Sequence, residues 1–410
     1  MGRNGGSAQE HAQVTEAILE LGRQLEPQIV GYRRAFHASP ELSNREFSTQ
    51  QRICDELNAL GVPYVKAAGT GVIATIAGEA PGSYDDAGKP RRRIALRADV
   101  DALPVTERTG LPFASETDGV MHACGHDCHI AMMLGTVRML VALRPHLRGE
   151  VRILFQPAEE VSQGARAMIA DGALQGVDAI YGAHIWSEVD SGKVSCEPGR
   201  RMAHTDWFRI DITGASAHGS MPHKGVDAIV VGAEMVTALQ VLVSRDVSPF
   251  EPVVVTVGEF HGGEARNVMA GSAYLTGTVR TWSDTLREEV PDRLERIVGK
   301  IAHAFNAQCT FTFEHGNGGL SNTPEYAEAC RQAVVKVLGE DAVASYEGSL
   351  AGEDFSEYLK LVPGVFAFVG GRNPKLGCDH PQHSCYFNID ESALVKGSMV
   401  AAQWAADQLA

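Results

Sequence analysis

The stretch MHACGHDCHIAMMLG, Met121 to Gly135, contains three histidines, two cysteines and an aspartate within its first nine residues. The apolar residues that follow predict a buried helix from about His129 to Leu143. The polar cluster would then lie at a helix N-terminus, where the helix dipole and a nearby cation both favour the thiolate form of Cys124. Three interpretations are open at this point: a metal site, a redox cysteine pair, or a polar loop that caps the helix.

The spacing within this stretch favours a metal site over a redox pair. Redox pairs typically read C-x-x-C, whereas three residues separate Cys124 from Cys128. Cys124 and His126, in contrast, place two good ligands for a borderline metal on one short loop.

The size and charge of the chain exclude several classes of function. A chain of 410 residues is too long for one ordinary core, so we expect two domains. With 36 Lys and Arg against 51 Asp and Glu, the net charge of −15 disfavours nucleic acid and anionic membranes as partners. We see no apolar run approaching the roughly 20 residues that span a bilayer and no signal-peptide core. The eight cysteines form no disulfide framework, and we expect a soluble, cytoplasmic protein.

The order of strand and helix patterns predicts a larger α/β domain with a mostly parallel sheet. The strand-like runs of its first part are GVIATIAG, RRIALRAD, VRILFQP and AIYGAHIW, and the helical patterns cover about 14–38, 129–143 and 164–174. After Asn322 the alternation resumes with a helix over 324–338, the strand GVFAFVGG and a closing helix from Asp390.

Between these two parts the rhythm changes to that of a ferredoxin-like module. From Asp206 the patterns follow the order βαββαβ, which is the signature of that fold. We therefore predict an inserted domain at 202–315, with residues 1–201 and 316–410 forming the first and second parts of the catalytic domain.

Polar residues follow several of the predicted strands. Asp99 and Asp101 follow one strand, Glu159 and Glu160 follow another, and His184 ends a third. A lone Glu pair is usually solvated surface, and a lone histidine is more often a core residue than a ligand. Open α/β sheets, however, bind ligands at the carboxyl ends of their strands, so we expect these side chains to converge. Thiolate, imidazole and carboxylate together would suit zinc.

Six segments resemble the metallopeptidase family of aminoacylases, hippurate hydrolases and auxin–amino acid conjugate hydrolases. They are MHACGHDCH, ALRADVDALPVTE, FQPAEE, GAHIW, GASAHGSMPHKGVDAI and HSCYFNIDE. The resemblance runs from FHASPEL near His37 to the final helix. It implies a two-metal amidohydrolase with an inserted lid domain that often forms a homodimer.

The resemblance also implies roles for individual residues. Glu159 would be the general acid/base, and Asp101 would be a carboxylate that orients a ligand. The role of Asp99 stays open, because its equivalent is a histidine in related branches. His218 would reach the substrate carbonyl from the lid, and His380 would support the metal ligands. The implied metal ligands are Cys124, His126, Glu160, His184 and His383.

The chemistry of such a site orients the substrate. The anionic ligand cluster would direct the carboxylate of an acyl amino acid toward the lid, where Arg266 and Asn267 offer donors. Alternatively, Arg266 and Asn267 only fix a turn before the next strand.

Three functions remain open. The leading hypothesis is hydrolysis of small-molecule N-acyl amino acids, hippurate-like or others, by a water activated on two divalent metal ions. The second is a dipeptidase or exopeptidase, which the lack of an evident extra carboxylate motif for a free amine disfavours. The third is a non-catalytic metal-binding protein, which the retention of Glu159 argues against. A cysteine ligand favours zinc, but the resembling branch includes manganese enzymes.

Overall fold

The computed structural model describes residues 4–410. The helices in this part of the chain are α1 (Asn4–His37), α2 (Phe47–Ala59), α3 (His126–Ala142), α4 (Gly164–Ala170), α5 (Ala228–Val241), α6 (Asp284–Ala304), α7 (Pro324–Leu338), α8 (Ser356–Leu359) and α9 (Ser392–Gln408). The strands are β1 (Tyr64–Ala67), β2 (Gly71–Ala77), β3 (Arg93–Asp99), β4 (Glu150–Gln156), β5 (Ala179–Asp190), β6 (Val194–Ser195), β7 (Gly199–Met202), β8 (His204–Thr213), β9 (Val253–Gly262), β10 (Ser272–Thr281), β11 (Gln308–His315), β12 (Leu320–Asn322) and β13 (Gly364–Arg372).

The chain divides into two compact units. The second unit comprises Arg200–Leu320 and Gly348–Ser356, and the first unit takes the residues before it, between its two segments and after it. The predicted insertion covered 202–315 and did not include the segment Gly348–Ser356. Two hydrogen bonds within the second unit bind this segment: Ser349 donates its backbone N–H to Arg201 O, and Ala203 donates to Ala351 O.

The first unit is built on a seven-stranded sheet with the order β1-β2-β4-β3-β5-β13-β6. The four central strands, β4, β3, β5 and β13, run parallel, which confirms the predicted mostly parallel α/β fold. The outer strands β1, β2 and β6 pair antiparallel. A turn as short as 68–70 allows β1 and β2 only an antiparallel pairing, because a parallel pair needs a long crossover.

Burial on both faces explains the composition of the central strands. Every residue of β13 except Arg372 is buried, and β3 is buried after its first residue. Such continuous burial is typical of parallel strands covered by helices on both faces. Helices α1, α3 and α9 pack against one another, and α3 is itself buried over nearly its whole length.

The sheet order sets the position of the polar residues. β4, β3 and β5 are consecutive parallel neighbours, so their carboxyl ends lie at the same edge of the sheet. Asp99 is the last residue of β3, Glu159 and Glu160 follow β4, and His184 lies on β5. The carboxyl edge of the parallel strands is therefore where these side chains meet.

The second unit contains a four-stranded antiparallel sheet with the order β11-β8-β10-β9. Its elements follow one another as β8-α5-β9-β10-α6-β11, the βαββαβ order of ferredoxin-like modules. The core lies between this sheet and the two helices and includes Ile210, Leu275 and Leu294, all fully buried.

One apolar stretch in the second unit differs from the prediction. Ala228–Asp246 is 19 residues long with a mean hydropathy of 1.5, long and apolar enough by length and composition to cross a membrane. The expectation that no such run exists was therefore wrong. A helix that covers a sheet meets the same criterion, and Val231, Met235 and Leu239 of this stretch are buried in the core of the unit.

The pairing of β9 with β10 contains a β-bulge. Thr276 pairs with Glu259, but Gly277 pairs with Val257, which leaves Gly258 as the extra residue. A Cβ atom on Gly277 would lie 2.2 Å from Thr256 O and 2.4 Å from the Phe208 ring. A Cβ atom on Gly258 would meet nothing nearer than Thr276 O at 4.0 Å.

These two glycines form a matched pair for a stability test. We expect Gly277→Ala to lower the free energy of unfolding by about 1–3 kcal/mol, because the strands must separate to admit the methyl group. Gly258→Ala should change it by no more than about 0.5 kcal/mol. Urea unfolding followed by tryptophan fluorescence measures both, since Trp207 and Trp282 lie in this unit. Equal losses in the two variants would contradict the steric explanation.

Candidate metal centre

Five side chains of the first unit converge at the carboxyl edge of the parallel strands. Cys124, His126 and His184 form one group of potential ligands, and Cys124, Glu160 and His383 form another. Within each group, one nitrogen, sulfur or oxygen atom per residue lies within 4.8 Å of the others. Cys124 belongs to both groups, so the two sets of ligands adjoin each other. These are the five residues that the sequence predicted as metal ligands.

Gly125 gives the loop between Cys124 and His126 its shape. Its φ of 100° lies in the left-handed region, which glycine adopts without steric cost. A Cβ atom here would also lie 2.4 Å from Cγ2 of Ile185. The turn brings Cys124 and His126 into the same space, and α3 begins at His126, three residues earlier than predicted.

The orientation of His184 follows from its backbone contact. Its Nδ1 lies 2.6 Å from the carbonyl oxygen of Ile185, so Nδ1 carries the hydrogen and donates it. Nε2 therefore presents its lone pair, and it lies 3.4 Å from Sγ of Cys124. Two atoms that both suit a metal thus face the same point.

Buried atoms without hydrogen bonds show whether these residues fit a metal. Nε2 of His126 and Oε1 of Glu160 are buried without a hydrogen-bond partner. Leaving such an atom unsatisfied costs about 1–3 kcal/mol, which a coordinated ion offsets. The donor set of thiol, imidazole and carboxylate suits zinc and related divalent ions. The residues present therefore fit a divalent metal centre.

The surroundings of Cys124 do not favour its thiolate form, contrary to the prediction. Burial, together with the neighbouring carboxylates of Glu160 and Glu159, raises the pKa of the Cys124 thiol well above its usual value. Burial likewise raises the pKa of Glu160 to about 7. Burial and these carboxylates disfavour the thiolate, which a bound cation would restore.

Asp101 binds the backbone of the loop that follows β4. Its two carboxylate oxygens accept the backbone N–H groups of Glu159 (3.2 Å) and Glu160 (3.1 Å). Ser43 donates its hydroxyl to the same carboxylate at 2.7 Å, and Nδ1 of His126 lies 3.3 Å from it. Asp101 thus lies beside one candidate ligand and fixes the backbone of another, and its predicted orienting role stays a prediction.

Two further predicted residues also lie in the first unit. Glu159 forms a group with His126 and Glu160, so its carboxylate is next to the candidate ligands. His380 packs its ring on Tyr386, with ring centroids 5.4 Å apart, whereas His383 reaches Glu160 with its Nε2 3.6 Å from Oε2. His383 is therefore the histidine of this loop that lies in the cluster.

The predicted lid residues lie together in the second unit. His218 pairs with Val268 in an isolated β-bridge, and Gly219 donates its backbone N–H to Asn267 O at 3.0 Å. The side chains of His218, Arg266 and Asn267 are exposed. Val268 also donates to Ala265 O, so Arg266 and Asn267 occupy a turn. Their contacts with substrate stay predictions.

Sequence reasoning gave no role to His129 and left that of Asp99 open. Both are buried, and His129 hydrogen-bonds to Asp99. The spacing of His126 and His129, three residues apart on one helix, places them on one face and was the available signal.

Comparison with known proteins identifies relatives along nearly the whole chain. Residues 95–407 match peptidase family M20/M25/M40. The chain is 40% identical over 375 residues to N-acetyl-L-cysteine deacetylase of Bacillus subtilis (strain 168), covering 91% of this chain and 86% of that protein. It is 43% identical over 312 residues to N-acyl-L-amino acid amidohydrolase of Geobacillus stearothermophilus, covering 76% and 82% respectively.

A solved structure extends this similarity to the fold. The YXEP protein of Bacillus subtilis, described as a dinuclear metal binding peptidase from the M20 family, superposes with a TM-score of 0.80 at 33% identity. The match covers 94% of this chain and 99% of that chain.

Two cysteines of the opening stretch provide a test of the metal centre. Cys124→Ala removes the sulfur shared by both groups, so we expect the affinity for divalent metal to fall by roughly 100-fold or more. Cys128→Ala is the control, because Cys128 is buried in α3 and belongs to neither group. Metal content after equilibrium dialysis against a graded chelator measures both. An equal loss of metal in Cys128→Ala would mean that the packing of α3, rather than ligation, governs retention.

Proposed function

Because the chain belongs to peptidase family M20/M25/M40, whose members are hydrolases, we propose that it cleaves the amide bond of N-acyl amino acids, releasing a carboxylic acid and a free amino acid. The observation that carries the proposal is the position of Glu159. Its carboxylate lies with His126 and Glu160, beside the candidate ligands, where a proton acceptor is required. Two relatives, one named a deacetylase and the other an amidohydrolase, support the substrate class.

Five side chains would hold two divalent metal ions. When bound, such ions supply Lewis-acid activation of a water molecule and of the scissile carbonyl. Zinc is favoured by the sulfur of Cys124, and manganese is the second candidate. The proposed ligands are Cys124, His126, Glu160, His184 and His383.

Glu159 and Glu160 have separate tasks in this mechanism. Glu160 would hold metal, whereas Glu159 would take a proton from the attacking water and deliver it to the departing amine nitrogen. Asp101 accepts hydrogen bonds from the backbone N–H groups of both glutamates and so fixes the loop that carries them. The two glutamate side chains can then point to different positions.

We propose that the second unit acts as a lid that binds the other end of the substrate. His218 would approach the carbonyl oxygen, and the turn with Arg266 and Asn267 would bind the amino-acid carboxylate.

We further propose that the protein forms a homodimer through the second unit. β9 is an edge strand of that sheet, which leaves a row of backbone groups open for pairing. Phe260 on β9 and Ile229 and Val230 on α5 are exposed apolar residues of this unit.

All eight cysteines are free thiols, which supports a reducing compartment such as the cytoplasm.

An exopeptidase is the second candidate function, because the matching family and the YXEP protein are both described as peptidases. A turnover screen tests the choice, with N-acetyl, long-chain acyl and indole-acyl amino acids, hippurate, and dipeptides with a free amine as substrates. Each substrate is assayed with zinc, with manganese and with chelator. Faster cleavage of dipeptides than of every acyl amino acid would favour the exopeptidase.

The two neighbouring glutamates give a matched test of the mechanism. We expect Glu159→Gln to keep its metal and to lower kcat by roughly 100-fold or more, since it loses only the proton acceptor. Glu160→Gln should instead lose metal together with activity. Metal content and turnover are measured on the same preparations. Loss of metal in Glu159→Gln would reassign Glu159 to the ligand set.

Two lid variants test the substrate orientation. We expect His218→Ala to lower mainly kcat, and Asn267→Ala to raise mainly KM for substrates with a free carboxylate. The amides of the same substrates serve as controls, because they lack the charge that Asn267 would bind. Equal losses on acids and amides would remove Asn267 from the carboxylate site. An unchanged kcat in His218→Ala would end its proposed role at the carbonyl.

A further inference from the structure

A buried chain of charged and polar groups lies directly behind the candidate ligands of the first unit. Arg97 donates Nη1–H to Oδ2 of Asp99 at 2.7 Å and Nε–H to Oε1 of Gln156 at 2.8 Å. Oδ1 of Asp99 hydrogen-bonds to Nδ1 of His129. Arg97, Asp99 and His129 are each no more than 2% exposed. We refer to these three residues as the Arg97–Asp99–His129 chain.

The far end of this chain binds the backbone next to a candidate ligand. Ile185 donates its backbone N–H to Nε2 of His129 at 2.8 Å. Nε2 is therefore an acceptor, and the ring hydrogen belongs to Nδ1, which faces Asp99. Both nitrogens of His129 are thus engaged by protein groups. His129 is not a ligand, although it lies in a cluster with Asp99 and His126.

The carboxylate oxygens of Asp99 are likewise hydrogen-bonded to protein groups. One of its oxygens accepts from Arg97 and the other from His129. Its Oδ2 lies 3.6 Å from Nε2 of His126, near the candidate ligand but already bonded elsewhere. Asp99 is thus the buried counter-ion of Arg97 in this chain.

The ring of His129 contacts two candidate ligands. It stacks on His126 with ring centroids 5.3 Å apart and planes 30° apart. It also meets His184 edge to face, with centroids 4.5 Å apart. His129 therefore ties together the end of β3, the first turn of α3 and the backbone of β5.

We propose that His129 is a positioning residue of the metal centre, holding His184 through the Ile185 N–H and His126 through ring stacking, with Arg97 and Asp99 fixing its orientation. The inference rests on the proposed metal centre. Partners that fix ligands in this way typically influence metal affinity by roughly 10- to 100-fold.

The test measures cobalt binding, which reports on the site without any assay of activity. Metal-free protein is titrated with Co²⁺, and its dissociation constants and visible spectrum are recorded for wild type and His129→Ala. We expect His129→Ala to raise the dissociation constant roughly 10- to 100-fold and to shift the ligand-field bands, because His184 and His126 lose their fixed orientation. Leu140→Ala is the control for lost packing, since Leu140 is fully buried further along α3.

Conservative variants separate positioning from packing. A glutamine at 129 places its oxygen near the position of Nε2 and can still accept from Ile185, whereas an asparagine reaches only the position of Nδ1. We therefore expect His129→Gln to recover cobalt affinity and the wild-type bands more fully than His129→Asn. If His129→Ala fails to fold, Asp99→Asn replaces it and should weaken binding in the same direction.

Three results would overturn the proposal. They are a dissociation constant for His129→Ala within threefold of wild type, an equal increase in Leu140→Ala, and no recovery in His129→Gln. A wild-type protein that binds no cobalt would instead refute the metal centre itself, so the two failures are distinguishable.

Discussion

Two aspartates, Asp99 and Asp101, are fully buried at the end of β3, and the rest of the site is arranged around them. A buried carboxylate is costly unless it is paired and hydrogen-bonded on every side. Asp99 takes an arginine and a histidine, whereas Asp101 takes a hydroxyl and two backbone N–H groups. Arg97 lies on β3 itself, His129 on α3 and Ser43 before α2, and the two backbone N–H groups both belong to the loop after β4. Satisfying the two charges therefore fixes β3, α3 and this loop relative to one another.

A second buried ion network fixes the N-terminus of α3 from the other side. Asp127, which follows His126, accepts from Arg33 of α1 at 3.3 Å and lies 2.8 Å from Nδ1 of His37. Although burial opposes it, the charge of Asp127 raises the pKa of His37 to about 9. Arg33 also reaches Glu391, just before α9. The first turn of α3, which follows the loop with Cys124, is thus held by buried charges on Asp99 and on Asp127.

Sequence periodicity predicted the elements whose burial is regular. The strands of the second unit alternate in burial, and its βαββαβ order could be read directly from that alternation. It could not assign Gly348–Ser356 to this unit, because a short loop without a periodic pattern is placed only by backbone hydrogen bonds to a distant segment. It also misplaced the start of α3, since the polar first turn from His126 does not look like the buried helix that it begins.

In the candidate site, too, residues marked by local sequence spacing could be predicted, whereas contacts between residues distant in sequence could not. Cys124 and His126 could be found from their spacing, and Glu160 and His184 from their positions after or on strands. The role of His129 could not be found, because its partner is the backbone N–H of Ile185, and no residue type marks such a partner. The role of Asp99 could not be assigned for a related reason. Only the structure shows that each of its carboxylate oxygens accepts a hydrogen bond from the protein.

The chain order of the candidate ligands has a consequence for how the protein is made. Cys124, His126, Glu160 and His184 all precede the second unit, and His383 follows it. During synthesis on the ribosome, the growing chain presents four of the five groups while the last has not yet been translated. The group of Cys124, His126 and His184 can therefore form early, whereas the group that needs His383 can be completed only after the whole inserted unit has emerged.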